Sequence, residues 1–390
     1  MRESQLIILG VSDFYPAAAA VLTQSGALEA VRQERPPRIK NFGQTPTMTV
    51  DWLLKRHGLK PEQVNVLALA GHTPVPALDG KRRVQLFREA ARWHGRVRGL
   101  LRRSPLRTLI QRERRRERHE TCLALGFRPQ AIQTYDLHEC LAAAAYFGQD
   151  TRDEPVVVIT LDGRSDELCS TVSIGRNHQI HRRIATDGSH SFAALCSVVT
   201  YMMGMVPHED EHELMARAPY ASPAAARQIA DRLCDLFSWS PDGNPTWQRR
   251  RGVPHTMHLQ STLESVFFEQ RIDAVLSGVQ LFVEEMVCEL VRRAVSASGI
   301  RRVAISGGIL INAQVSKRIA ETGAVKHLFL FPSCDDAAGA IGAAYLARSE
   351  HLGGADALSP ASFSLGPDWS EVEIHSDLEH HLVGGEITGG

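Results

Sequence analysis

Two stretches of this chain open in the same way. Leu6–Gly10 is a short apolar run that stops at a glycine, and Ala17–Leu22 and Leu28–Arg32 follow around a turn at Ser25-Gly26. Pro155–Asp162, written PVVVITLD, is a second apolar run that stops before Gly163, and Leu168–Ile174 and Gln179–Ile184 continue it. Runs this short and this apolar read as buried strands. Each meander passes into helical patterns: Thr47–His57 and the alanine-rich Leu137–Phe147 after the first, Phe192–Met205 and Leu259–Ser298 (one helix or two) after the second. Val64–Ala70, Val303–Ile305 and His327–Phe331 add strands. A duplicated meander-then-helix pattern predicts two similar α/β lobes with a cleft between them. The expected limits are 1–154 for the first lobe, 155–350 for the second and 351–390 for a C-terminal tail.

Bulk properties exclude more than they identify. The 390 residues carry no net charge, so nothing global favours nucleic acid or an anionic membrane as partner. Seven cysteines without a CxxC pair fit reduced thiols in a cytoplasmic protein. The amino-terminal apolar run is too short for a signal peptide, and no 18-residue apolar run predicts a membrane span. One segment is strongly biased: Lys81–Arg118 holds fifteen Lys or Arg against three acidic residues, which leaves −12 on the remainder. Apolar residues at helical spacing predict one or two basic amphipathic helices there, broken near Pro105. The segment is a solvated helical insertion, a docking surface for an acidic partner or phosphate-rich ligand, or a partner for the chain's own acidic surface.

Five places could carry chemistry, and each has an ordinary structural reading beside it. Asp162-Gly163-Arg164 ends a buried strand; it is either a plain turn or a carboxylate beside amides that a phosphate can approach. Ser306-Gly307-Gly308 leads from a strand toward a helix, which exposes free helix amides, and Asn312 follows. Asp335-Asp336 opens a small-residue helix containing Gly339, as a cap or as ligands. Tyr135-Asp136-Leu137-His138-Glu139 is an acidic helix start or a set of oxygen and imidazole ligands for a divalent cation. His208–Glu213 is metal-like in composition, but a loop without fixed geometry.

Taken in order, these pieces resemble the O-carbamoyltransferases of nodulation factors and antibiotics. The resemblance runs from about Leu6 to about Leu378. It is most specific over Ser306–Asn312, Pro332–Asp336 and Gly339–Ala344, and includes Gly10, Glu34–Lys40 and Phe363–Pro367. The first domain of that family is similar to the enzyme that installs threonylcarbamoyl on tRNA. It has the actin/Hsp70/sugar-kinase-like (ribonuclease H-like) fold, which implies duplicated α/β lobes here. In the family a second module makes carbamoyl-adenylate from ATP and carbamoyl phosphate, and the first domain passes the carbamoyl group to a hydroxyl. This chain ends at Gly390, so that module is expected on another polypeptide, a separate adenylate-forming protein or an intact carbamoyltransferase.

The resemblance also assigns roles. Tyr15 and Asp162 become catalytic candidates, and Gly163, Arg164, Gly307, Gly308, Asn312 and Gly339 line the ATP or carbamoyl-adenylate. Asp336, Glu139, Tyr135 and His138 are implied to hold Fe2+ or Mn2+. Three departures bear on activity. The family's His-Asp in the first loop reads Tyr15-Pro16 here. Its His-His-x-x-His motif reads Tyr135-Asp136-Leu137-His138-Glu139. Its Gly-Lys-x-Met-Gly segment reads His212-Glu213-Leu214-Met215-Ala216, an acid in place of the lysine. Three functions follow: carbamoyl transfer to a hydroxyl or amine of a small natural-product acceptor, a catalytically degenerate scaffold or regulator of an intact carbamoyltransferase, or a kinase-like phosphotransferase on the same fold.

Overall fold

A computed structural model describes residues 6–76, 78–91, 105–149, 154–352, 362–366 and 369–383. The first sheet contains β1 (Ile7–Ser12), β2 (Ala18–Thr23), β3 (Leu28–Arg32), β4 (Val66–Ala70) and β5 (Ile132–Tyr135), in spatial order β3-β2-β1-β4-β5. The second contains β6 (Val156–Ser165), β7 (Leu168–Arg176), β8 (Gln179–Asp187), β11 (Arg302–Ser306) and β12 (His327–Leu330), in order β8-β7-β6-β11-β12. Each is an antiparallel meander extended by two parallel strands. The two sheets therefore share one topology, 3-2-1-4-5, as the duplicated sequence pattern predicts. A small hairpin, β9 (Phe237–Trp239) with β10 (Trp247–Arg249), stands apart.

The helices, in chain order, are α1 (Thr47–Arg56), α2 (Gly80–Ala91), α3 (Pro105–Ala124), α4 (Leu137–Phe147), α5 (Phe192–Met202), α6 (Glu211–Arg217), α7 (Pro223–Cys234), α8 (Gln260–Phe267), α9 (Ile272–Ser298), α10 (Ala313–Glu321), α11 (Ala338–Leu352) and α12 (Glu371–Val383). Leu259–Ser298 thus resolves into two helices, and the basic segment contributes α2 and α3, with 92–104 outside the described residues. No helix among the described residues is long and apolar enough to cross a membrane. All seven cysteines are free thiols.

Strand alternation sorts side chains into layers. Leu9, Val11, Leu67 and Leu69 face an outer core with α1 and α3, while Ile8, Val66 and Ala68 face inward. In the second sheet Val157, Ile159 and Leu161 face an outer core with α5 and α9, and Val156, Val158 and Ala304 face inward. The shared inner layer is a helix pair. α4 packs on β6, β7 and β11 of the second sheet, α11 packs on β1, β2 and β4 of the first, and the two helices pack on each other. Both are mostly buried and rich in alanine over their central turns, with polar residues near the start of α4 and the end of α11. The pair is close enough to exclude a side chain at Gly342, where a Cβ would stand 1.8 Å from the Cys140 carbonyl oxygen.

Gly342→Ala is therefore expected to lower stability by about 1–3 kcal/mol or more through overpacking, measured by urea unfolding. Gly366→Ala, which meets open space, is the control, and equal stability of the two variants would contradict the helix packing.

Candidate functional site: an acidic cleft under two opposed helix ends

Because α4 and α11 cross between the sheets, each presents its amino end to the strand ends of the sheet it packs on. The Tyr15 backbone N–H, just past β1, donates to Asp336 at the start of α11. In the second half, the His138 ring at the start of α4 bonds Thr160 of β6, Nδ1 to Oγ1 at 2.7 Å. These contacts set the amino ends of α4 and α11, which carry partial positive charge, beside the ends of β6 and β1.

The cleft is nevertheless lined with carboxylates. Burial, then the charge of Asp162, then Asp335 push the Asp336 carboxyl well above the usual range. Its neighbour plays the capping part. Asp335 accepts from Ala337 N at 3.1 Å and pairs with Arg32 at 2.6 Å, so the two adjacent acids divide into a cap and a cleft group. Asp162 accepts the Ser165 hydroxyl proton. The apolar strand does not stop at Asp162-Gly163. It continues past a bulge to Ser165, and Asp166 and Glu167, both at positive φ, make the turn.

Two further acids were not singled out by the sequence. Asp13 follows β1 and is 2% exposed; its Oδ1 lies 3.4 Å from Arg118 Nη1, and its Oδ2 has no partner. Burial pushes its carboxyl up, against the pull of Arg118. Asp166 reaches from the second meander across the cleft and accepts from His72 N at 3.0 Å and from Leu137 N at 2.9 Å. The Leu137 amide belongs to the free amino end of α4, so Asp166 supplies that helix with an anion.

The glycine turns frame this cleft differently. Gly307 stands at φ 123°, and a Cβ there would fall 1.9 Å from the Leu161 carbonyl oxygen, so only glycine fits. Gly163 and Gly308 border open space, and Gly339 packs against Leu137 and Ala70. Asn312 caps α10 through Val315 N (3.4 Å) and exchanges amide hydrogen bonds with Gln280 at 2.7 and 3.2 Å. Arg164 pairs with Glu167 at 2.5 Å and contacts His255 at 3.3 Å.

The remaining predicted residues are placed as follows. The Tyr15 hydroxyl donates to the Pro76 carbonyl and accepts from Leu78 N at 2.9 Å, with Arg83 over its ring. Burial raises its pKa, opposite to what a base requires. Tyr135 turns its hydroxyl to Glu350, 2.8 Å away. Glu350 is 14 residues beyond Asp336, about 20 Å along a helix. Glu139 and Asp136 lie 3.5 and 2.5 Å from Arg182. His138 is fully buried, which lowers its pKa despite Asp162, and its Nε2 has no partner. In His208–Glu213, Glu211 accepts from Ser197 Oγ and Asp210 from Val206 N, each within the local fold. Among the described residues no three His, Cys, Asp or Glu converge to hold a metal. Asp336, Glu139, Tyr135 and His138 therefore do not fit a divalent ion as one ligand set.

Two α/β lobes of shared topology, joined by a buried helix pair, make up the actin-like, sugar-kinase-like fold. Residues 7–345 match the family model described as carbamoyltransferase N-terminus, and the chain belongs to that family. It is similar to an uncharacterised Synechocystis protein, 25% identical over 96% of this chain and 63% of that one. It is also similar to nodulation protein NolNO of Sinorhizobium fredii, 23% identical over 86% of this chain and 47% of that protein. The chain thus spans about half to two-thirds of the length of these relatives. Among solved structures, HypF of T. kodakarensis aligns over 90% of this chain and 48% of that one, with 12% identity and a TM-score of 0.46.

The raised Asp336 carboxyl has a consequence for stability. A carboxyl whose native pKa exceeds its unfolded value of 3.8 binds more protons folded than unfolded. Its contribution is complete below that value and is lost as pH rises through the native pKa. Asp336→Asn should therefore lose less stability than the parent in urea unfolding between about pH 4 and pH 8; parallel curves would contradict the assignment.

Proposed function

We propose that this chain performs the carbamoyl-transfer step of its family. It would take the group from carbamoyl-adenylate and pass it to a hydroxyl or amine of a small acceptor. The observation that carries this reading is the buried Asp336 carboxyl at the start of α11, pushed up by burial and by Asp162. The glycines Gly163 and Gly308, which border open space, let the backbone approach an adenylate phosphate. A carboxyl whose surroundings raise its pKa is, once ionised, a stronger proton acceptor than an exposed one and so suits a general base. The acceptor oxygen or nitrogen attacks the carbamoyl carbon, its proton passes to Asp336, and the bond to the phosphate oxygen breaks to release AMP. The family model is that of an amino-terminal portion, and the relatives are longer than the aligned part. The donor is accordingly assigned to an adenylate-forming module outside these 390 residues.

A second reading, a catalytically silent partner of an intact carbamoyltransferase, is favoured by one observation. The residues at the family's histidine positions are committed elsewhere: the Tyr15 hydroxyl to Pro76 and Leu78, Tyr135 to Glu350, Glu139 to Arg182.

The test supplies the protein with an adenylate-forming module, radiolabelled carbamoyl phosphate, ATP and a panel of hydroxylated acceptors. Labelled acceptor should form, and Asp336→Asn should slow it by about 100-fold or more. No transfer by the wild-type chain, with increased activity of an added full-length carbamoyltransferase, would select the silent partner.

A further inference from the structure

The basic segment ends inside the protein, not on its surface. Arg118, its last residue, lies on α3 and is 6% exposed. Its guanidinium gathers four oxygens from the strand ends of the first sheet. Nη1 lies 3.4 Å from Asp13 Oδ1 and 3.3 Å from the Ala70 carbonyl, and Nη2 lies 2.8 Å from the Gly71 carbonyl and 3.4 Å from that of His72. One carboxylate and three backbone carbonyls, all hard oxygens on one side of a cleft, are the donors a divalent ion such as Mg2+, Ca2+ or Mn2+ takes. The second Asp13 oxygen, buried and without a partner, adds a further lone-pair site on the same carboxylate.

From this geometry we infer that Arg118 is a resident cation: it occupies, as a covalent part of the chain, an oxygen cage at the end of β1 and β4 that would otherwise bind a divalent metal ion. The inference stands apart from the transfer chemistry, since it concerns which positive charge the first lobe's strand ends hold. It also gives the basic insertion a task in this chain. Arg83 of α2 packs in the same manner, buried and paired with Glu209, so two arginines of the insertion are anchored to acids of the same molecule. A planar guanidinium suits the position better than an ammonium because its several donors spread over several acceptors.

The experiment titrates metal-free protein with Mn2+ by calorimetry, with thermal melting alongside. Arg118→Gln keeps a polar side chain and removes the charge. It should take up one more Mn2+ per chain than the wild type and melt higher with the ion than without it. Adding Asp13→Asn to that variant should abolish the extra uptake. A folded Arg118→Gln protein that binds no more Mn2+ than wild type overturns the inference, as does extra uptake that survives Asp13→Asn. If Arg118→Gln does not fold, Arg118→Lys decides. A folded lysine variant without extra Mn2+ supports a resident cation. One that binds the extra ion, or does not fold, overturns it.

Discussion

The contact on which the rest of the structure depends is the crossing of α4 and α11. Each helix follows the last strand of one sheet and packs on the other, so neither half can close its inner face alone. Small residues make the crossing possible: Ala142 to Ala145 on one helix and Ala338 to Ala344 on the other, with Gly342 against the Cys140 carbonyl. Burial of so many short side chains leaves little slack, because interiors pack at crystal density. The same crossing fixes the chemistry. It sets the start of α11, with Asp336, and the start of α4, with His138, near the ends of β1 and β6, where Asp162 stands.

That point is electrostatically unusual. Partial positive charge from the helix ends and from amides past the glycines meets Asp13, Asp162, Asp166 and Asp336. Some of this charge is satisfied internally, by Arg118 at Asp13 and by the His72 and Leu137 amides at Asp166. Burial, and after it the nearby Asp162, raises the Asp336 carboxyl. A cleft arranged so can hold an anion on its amide side and accept a proton on its carboxyl side.

Much of the fold was legible because it rests on local patterns. PVVVITLD reads as a buried strand in any context, Leu137–Phe147 was placed to the residue, and the duplication gave both sheets. Asp336 stood out as an acid at the start of a small-residue helix, although which of the two adjacent acids capped the helix depended on Arg32, far away in sequence. Asn312, placed at the nucleotide by the resemblance, caps α10 and pairs with Gln280, a role that its side chain and its position before a helix also suit. Asp13 escaped notice for want of a glycine beside it. The duplication was the available signal, since Asp13 stands six residues after the start of β1 as Asp162 does after the start of β6. Tyr135 and Glu139 enter together through the family resemblance, and a position in a motif does not say which way a residue turns just before or within a helix's first turn.

The central claim is that the open glycine edge of this cleft receives an adenylate. The direct measurement is calorimetric titration of the purified chain with a non-hydrolysable carbamoyl-adenylate analogue, beside Gly308→Val, whose added side chain would enter open space. The account predicts binding at micromolar strength or tighter, about −8 kcal/mol, for the wild type and its loss in a folded Gly308→Val variant. No binding by the wild type, or equal binding by both, would contradict it.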